Sequence, residues 1–132
     1  MSIYEASVEA EFGAAHAIQL PYGDLEPKHK HTWKVTATFR SQQVDQTTGV
    51  VIDFEKVKEA METITIGLEG KDLNKLEFFS DGRASAERIA EFIAHRLGAL
   101  LGGSTALYSL RLSEAPGCTA AFYPQQGEAH TG

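Results

Sequence analysis

Three histidines have the type and spacing to do chemistry together: His16, closing Phe12-Gly13-Ala14-Ala15-His16, and the pair in His29-Lys30-His31. Three protein nitrogens around zinc leave one coordination position free for a substrate oxygen, so this set is a candidate catalytic zinc site. Convergence depends on the elements that carry the rings. Tyr4, Ala6, Val8, Ala10 and Phe12 alternate with Glu5, Ser7, Glu9 and Glu11, the period of a half-buried antiparallel strand. Continued, that phase puts Ala14 and His16 on the Phe12 side. In a second strand Trp33, Val35, Ala37 and Phe39 alternate with Thr32, Lys34, Thr36, Thr38 and Arg40, and the apolar face runs back through His31 to His29. Residues two apart on a strand lie roughly 7 Å apart at the backbone, so both imidazoles can lean onto an ion about 2.0–2.1 Å from each nitrogen. His95 lies in a helical pattern and His130 in a polar tail, and neither joins the set.

Composition narrows what such a site serves. A chain of 132 residues is one domain, expected over 1–124 with a polar tail over 125–132. Its formal net charge of −6 and pI near 5.3 argue against nucleic acid or an anionic membrane, since phosphate backbones select clustered positive charge. The expected partner is a small molecule. No apolar run approaches the roughly 18 residues of a membrane span, and the N-terminus lacks the basic and apolar regions of a signal peptide, so the expected location is cytoplasmic. The single cysteine, Cys118, allows neither an internal disulfide nor a Cys-x-x-Cys metal knuckle, which leaves histidine to carry any metal.

Around the first two strands the pattern predicts an α+β fold. The loop Pro21-Tyr22-Gly23-Asp24-Leu25-Glu26-Pro27-Lys28 joins them, and its prolines and glycine resist regular structure. After the turn Asp45-Gln46-Thr47-Thr48-Gly49, Val50-Val51-Ile52 reads as a short return strand, and Asp53 as a helix N-cap. Phe54, Val57, Met61, Ile64 and Leu68 form the inward stripe of that helix. Ser85 opens a second helix burying Ile89, Phe92, Ile93, Leu97 and Leu100, which Gly102-Gly103 ends. Two last strands, Leu107 to Glu114 and Cys118 to Tyr123, flank the turn Ala115-Pro116-Gly117. The order β-β-α-α-β-β implies a four-stranded antiparallel sheet with both helices on one face, and an oligomer to cover the other.

Glu114 is the second informative residue. Alternation in its strand groups it with Tyr108, Leu110 and Leu112 rather than with Ser109, Arg111 and Ser113. A buried carboxylate needs a partner. One reading is a strand end reached by water; the other is two parallel charge-assisted hydrogen bonds to a guanidine-like edge, such as the 2-amino and N3–H groups of a pterin.

Together these residues resemble the 6-pyruvoyl-tetrahydropterin and 6-carboxytetrahydropterin synthase family over nearly the whole chain. The resemblance rests on Phe12-Gly13-Ala14-Ala15-His16, His29-Lys30-His31, Gly49-Val50-Val51-Ile52-Asp53-Phe54, Leu68 through Leu73-Asn74, Ser85-Ala86-Glu87 and Glu114. It implies the tunnelling fold, in which trimers form a barrel and two trimers stack into a hexamer with sites at subunit interfaces. It further implies Zn2+ on His16, His29 and His31, a pterin anchored by Glu114, and lyase chemistry on 7,8-dihydroneopterin triphosphate or a close analogue.

Departures from the family pattern point to a branch. Leu25 stands where the 6-pyruvoyl- and 6-carboxy-forming members carry a cysteine, whereas Glu26-Pro27-Lys28-His29 matches a Glu-x-x-His subgroup that cleaves the side chain to 6-hydroxymethyl-7,8-dihydropterin. Glu26 is then the expected general base. The family's Asp-His pair falls at Glu69 and Gly70, so only Glu69 retains an acid, and Lys30 stands where the family usually has glycine. Beside these lyases, a non-catalytic pterin binder and a structural zinc oligomer of the same fold remain as readings.

Overall fold

The computed structural model describes residues 2–102 and 106–124; the expected tail, with His130, and Gly103 lie outside them. Two long strands, β1 (Tyr4–His16) and β2 (His29–Ser41), precede α1 (Phe54–Leu68). Two short 3-10 turns, Leu73–Lys75 and Glu77–Phe79, lead to α2 (Ala86–Leu100), and β3 (Leu107–Ala115) and β4 (Cys118–Phe122) complete the chain. The strands form one sheet in the order β1-β2-β3-β4, antiparallel throughout. The expected α+β order is therefore the observed one.

Register sets the site. Val8 faces Ala37, Phe12 faces Trp33 and His16 faces His29, so one phase carries the apolar face of the hairpin into its histidine end. Inward residues Val8, Phe12, Trp33, Val35, Phe39, Leu110 and Leu112 are buried, while Glu5, Glu9, Glu11, Lys34 and Arg40 project outward. α1 packs over β1 and α2 over β3 and β4, bringing Met61, Ile64, Leu68, Ile89, Ile93 and Leu97 against the sheet. Each such side chain contributes about 1.5–3 kcal/mol on leaving water.

Both helices start where the caps predict. The Asp53 carboxylate accepts from the Glu55 and Lys56 amides at 3.0 and 3.3 Å, and the Ser85 hydroxyl from the Arg88 amide at 3.2 Å. These bonds satisfy donors that have no partner inside the helix.

Four expectations are corrected. Val50-Val51-Ile52 is not a strand but part of the bend leading into α1, where Val51 and Ile52 pack beside the core. An apolar triplet buries itself equally well from a bend, so its composition alone does not select a strand. Phe54 and Leu100 are exposed at the helix ends and Phe92 is half-buried; the core positions are taken instead by Ala60, Ala90 and Ala94. Small residues let the helices approach the sheet closely. Tyr108 leaves the inward face because a bulge between Thr38 and Phe39 pairs Thr38 with Ser109 and Phe39 with Leu107, so Tyr108 has no partner across the pair. It takes the Arg40 guanidinium 3.8 Å from its ring centre. Finally, β4 ends at Phe122 rather than Tyr123.

Candidate metal centre

At the His16 end of the hairpin the inward phase supplies three imidazoles instead of apolar side chains. Ring centres of His16 and His29 are 4.8 Å apart, His16 and His31 5.2 Å, and His29 and His31 4.5 Å. Trp33, fully buried, forms the floor: its ring centre lies 4.8 Å from His16 and 5.2 Å from His31, and its indole N–H donates to the Ala14 carbonyl at 3.1 Å.

Backbone carbonyls fix which nitrogen faces the site. His16 Nδ1 lies 2.7 Å from the Ala84 carbonyl and His29 Nδ1 3.1 Å from the Pro27 carbonyl. Each Nδ1–H donates there, which leaves the Nε2 lone pair as the ligating position. Asn74 steadies the segment after His16, accepting from the Ala17 amide at 2.8 Å and donating to the Ala17 carbonyl at 2.9 Å.

The donor set fits a metal ion. The Nε2 atoms of His16 and His31 are buried with no hydrogen-bond partner, a condition that costs roughly 1–3 kcal/mol per group. Glu114 Oε1 lies 2.8 Å from His16 Nε2 and 3.5 Å from His31 Nε2, and the shorter approach is not aligned as a hydrogen bond. One ligand atom from each of His16, His29, His31 and Glu114 lies within 4.8 Å of the others. Ligands about 2.0–2.1 Å from a tetrahedral ion sit roughly 3.4 Å apart, so a small contraction completes the cage. Burial lowers the His31 pKa, the Glu114 charge opposes this, and the other two histidines reinforce it. A neutral ring is the form that ligates.

The other expected site residues divide. Glu26 stands beside the cluster, its Oε1 3.8 Å from His29 Nε2 while accepting from the Ile18 amide at 3.0 Å. Glu69 lies outside the ligand group. It follows the end of α1, and its Oε1 accepts from the Gly13 amide at 3.0 Å; a Cβ at Gly13 would stand 3.0 Å from its Oε2. There it lines an open cavity of about 530 Å³ with Gly13, Lys30, His31, Thr32 and Lys71. Gly70 turns back at φ +74°, and its N–H donates to the Gly13 carbonyl at 2.7 Å. Such a φ favours glycine over histidine at this position. Leu25 is half-exposed, and Cys118 is exposed and outside the ligand group.

Sequence reasoning missed the backbone that orients His16. A carbonyl carries no residue signature, so Ala84 was not visible as its partner. Asp81 holds the turn before it, accepting from the Arg83 amide and Nε at 3.0 Å each and from Arg88 Nη1 at 2.9 Å.

Fold and site together define an α+β protein whose sheet ends in a cluster able to hold a metal. The sequence profile of the 6-pyruvoyl tetrahydropterin synthase family matches residues 5–125, and the chain belongs to that family. It is 31% identical over 90 residues to a Drosophila melanogaster 6-pyruvoyl tetrahydrobiopterin synthase, covering 67% of this chain and 53% of that one. A Pyrococcus furiosus dihydroneopterin monophosphate aldolase is 30% identical over 112 residues, covering 85% and 87%. This chain spans 61% of a Caenorhabditis elegans relative described as a 6-pyruvoyl tetrahydrobiopterin synthase, 28% identical over 89 residues, and 53% of the Drosophila one. The solved Caenorhabditis elegans 6-pyruvoyl tetrahydropterin synthase superposes with a TM-score of 0.81 at 22% identity, covering 95% of this chain and 98% of that one. The fold is the tunnelling fold of these synthases.

Proposed function

We propose that this chain is a zinc-dependent lyase acting on the side chain of a phosphorylated 7,8-dihydroneopterin, and that it works as a homo-oligomer, a trimer or hexamer. The observation that carries this reading is the convergence of three imidazole nitrogens, two of them buried without hydrogen-bond partners, between two carboxylates. His16, His29 and His31 would hold the ion. When bound, it supplies a Lewis acid toward a side-chain oxygen.

The chain's own residues do the rest. Glu114 anchors the 2-amino and N3–H edge of the pterin through paired charge-assisted hydrogen bonds. Glu26 has one oxygen held by the Ile18 amide, which leaves the other to take a proton from a side-chain hydroxyl. Glu69, which accepts from the Gly13 amide and lines a cavity with Lys30, His31 and Lys71, is proposed as an acid of the site.

Within this class, cleavage of the side chain to 6-hydroxymethyl-7,8-dihydropterin is favoured over formation of a 6-pyruvoyl or 6-carboxy product. Leu25 offers no nucleophile, Glu26 does offer a base, and the Pyrococcus relative, matched along most of both chains, is named an aldolase. A Plasmodium vivax synthase of the same fold has been solved with its catalytic glutamate replaced by alanine, so a carboxylate serves catalysis in that protein. In the cleavage Glu26 accepts the proton of the second side-chain hydroxyl and the bond between the first two side-chain carbons breaks. Its electron pair passes into the ring imine, and the first carbon is then protonated. The other fragment leaves as an aldehyde.

The test incubates zinc-loaded protein with 7,8-dihydroneopterin mono- and triphosphate and identifies products by mass, with a metal-stripped control. A metal-dependent 6-hydroxymethyl product is expected. A pyruvoyl or carboxy side chain would move the chain to the synthase branch, and unchanged substrate that nonetheless binds would reduce it to a pterin binder.

A further inference from the structure

We propose that Glu114 is itself the fourth ligand of the metal in the substrate-free protein, so that the pterin must take this carboxylate away from the metal before the site can work. The inference rests on the metal and pterin reading above and deepens it. A carboxylate whose only task is to hold a pterin edge has no reason to point at the imidazole lone pairs. Here Oε1 lies 2.8 Å from His16 Nε2 and 3.5 Å from His31 Nε2, and neither nitrogen has a hydrogen-bond partner. Two lone-pair donors and a carboxylate oxygen at such separations repel unless a proton or a cation lies among them. The spacing brackets the roughly 3.4 Å between neighbouring ligands of a tetrahedral ion.

The local backbone favours this placement. The β3–β4 register is irregular between Ser113 and Ala115, where Ser113 still pairs with Thr119 but Ala115 pairs with Cys118. The irregularity falls at Glu114, which keeps the inner phase of Leu110 and Leu112, so its carboxylate reaches the histidine end of the sheet. Its carboxylate keeps about a third of its surface open to solvent, so an incoming ligand can reach it. Three histidines alone leave an open position, whereas three histidines and Glu114 make the closed set typical of a stored or structural ion. A guanidine-like edge that binds Glu114 therefore does two things at once: it positions the substrate and vacates a coordination position. Metal without substrate is then held closed against water and stray ligands.

The test uses full-length protein loaded with Co2+, whose visible absorption reports coordination number, beside metal competition against a chromophoric chelator. Wild-type protein is expected to show the intense bands of a four-coordinate ion. Glu114→Gln is expected to weaken them and to lower metal affinity by about tenfold or more, as ligand-supporting groups do even from outside the coordination sphere. Unsubstituted pterin, which has the guanidine-like edge but no side chain, is expected to move the wild-type spectrum toward that of Glu114→Gln and to leave the variant's spectrum unchanged. Identical spectra and affinities for wild type and variant would overturn the assignment, and a wild-type spectrum indifferent to saturating pterin would overturn the release. Failure of wild-type protein to bind Co2+ stoichiometrically would instead overturn the metal reading on which both rest. If Glu114→Gln does not fold, Glu114→Asp, shorter by one methylene, is expected to give the same weakened bands.

Discussion

The two ends of the β1–β2 hairpin share one geometry and do different work. Near its open end Val8, Ala37 and Phe39 point inward under the helices and are buried; near the loop His16, His29 and His31 occupy the same phase. At the first end burial satisfies every inward group, and stability follows from area removed from water. At the second, burial leaves Nε2 of His16 and His31 without hydrogen-bond partners. Two buried nitrogens without hydrogen-bond partners call for an explanation, and this contrast is what makes the histidine end the candidate metal site.

The largest effect should come from breaking that end directly. His31→Ala removes a nitrogen from the cluster and is expected to abolish stoichiometric metal, read by metal analysis, with loss of pterin turnover. The fold should persist in far-ultraviolet circular dichroism, because the apolar end is untouched. Glu26→Gln should leave metal content unchanged and lower kcat by about 10²–10⁴, the range of general-base catalysis, with little change in KM. Equal metal loss in both variants would mean that Glu26 holds the ion rather than a proton. Trp33→Ala lies at the boundary between the two ends. It opens a cavity under the histidines and removes the bond to Ala14, and is expected to cost about 3–5 kcal/mol in denaturant unfolding.

The hairpin was legible in the sequence because strand period is unforgiving: with Phe12 inward, His16 must be inward too. The same logic placed Glu114 on the inner face. It failed at Tyr108, since the Thr38/Phe39 bulge is a backbone event that no residue type announces. It failed at Val50 to Ile52 because three apolar residues bury themselves equally well in a bend. Glu69 shows a different limit: its carboxylate is engaged by the Gly13 amide across a separation of 56 residues. Contacts of that range follow from tertiary packing and have no local signature.

The smallest effect, and the one that sharpens the comparison furthest, concerns the support behind His16. The Ala84 carbonyl that fixes the His16 tautomer follows a turn whose only charged clamp among the described residues is Asp81 with Arg83 and Arg88. The Arg88 side chain, then the Arg83 amide, hold the Asp81 carboxyl well below the usual carboxylate range. A folded pKa below the unfolded value of about 3.9 means that the clamp stabilises fully above that value and is lost as pH falls through it toward the folded pKa. Asp81→Asn should therefore lower Tm slightly at pH 7, with the difference from wild type closing below about pH 4. If the turn only braces the fold, metal affinity at pH 7 will be unchanged. If it aims His16, affinity should fall by up to about tenfold while the apolar end of the hairpin keeps its amide protection.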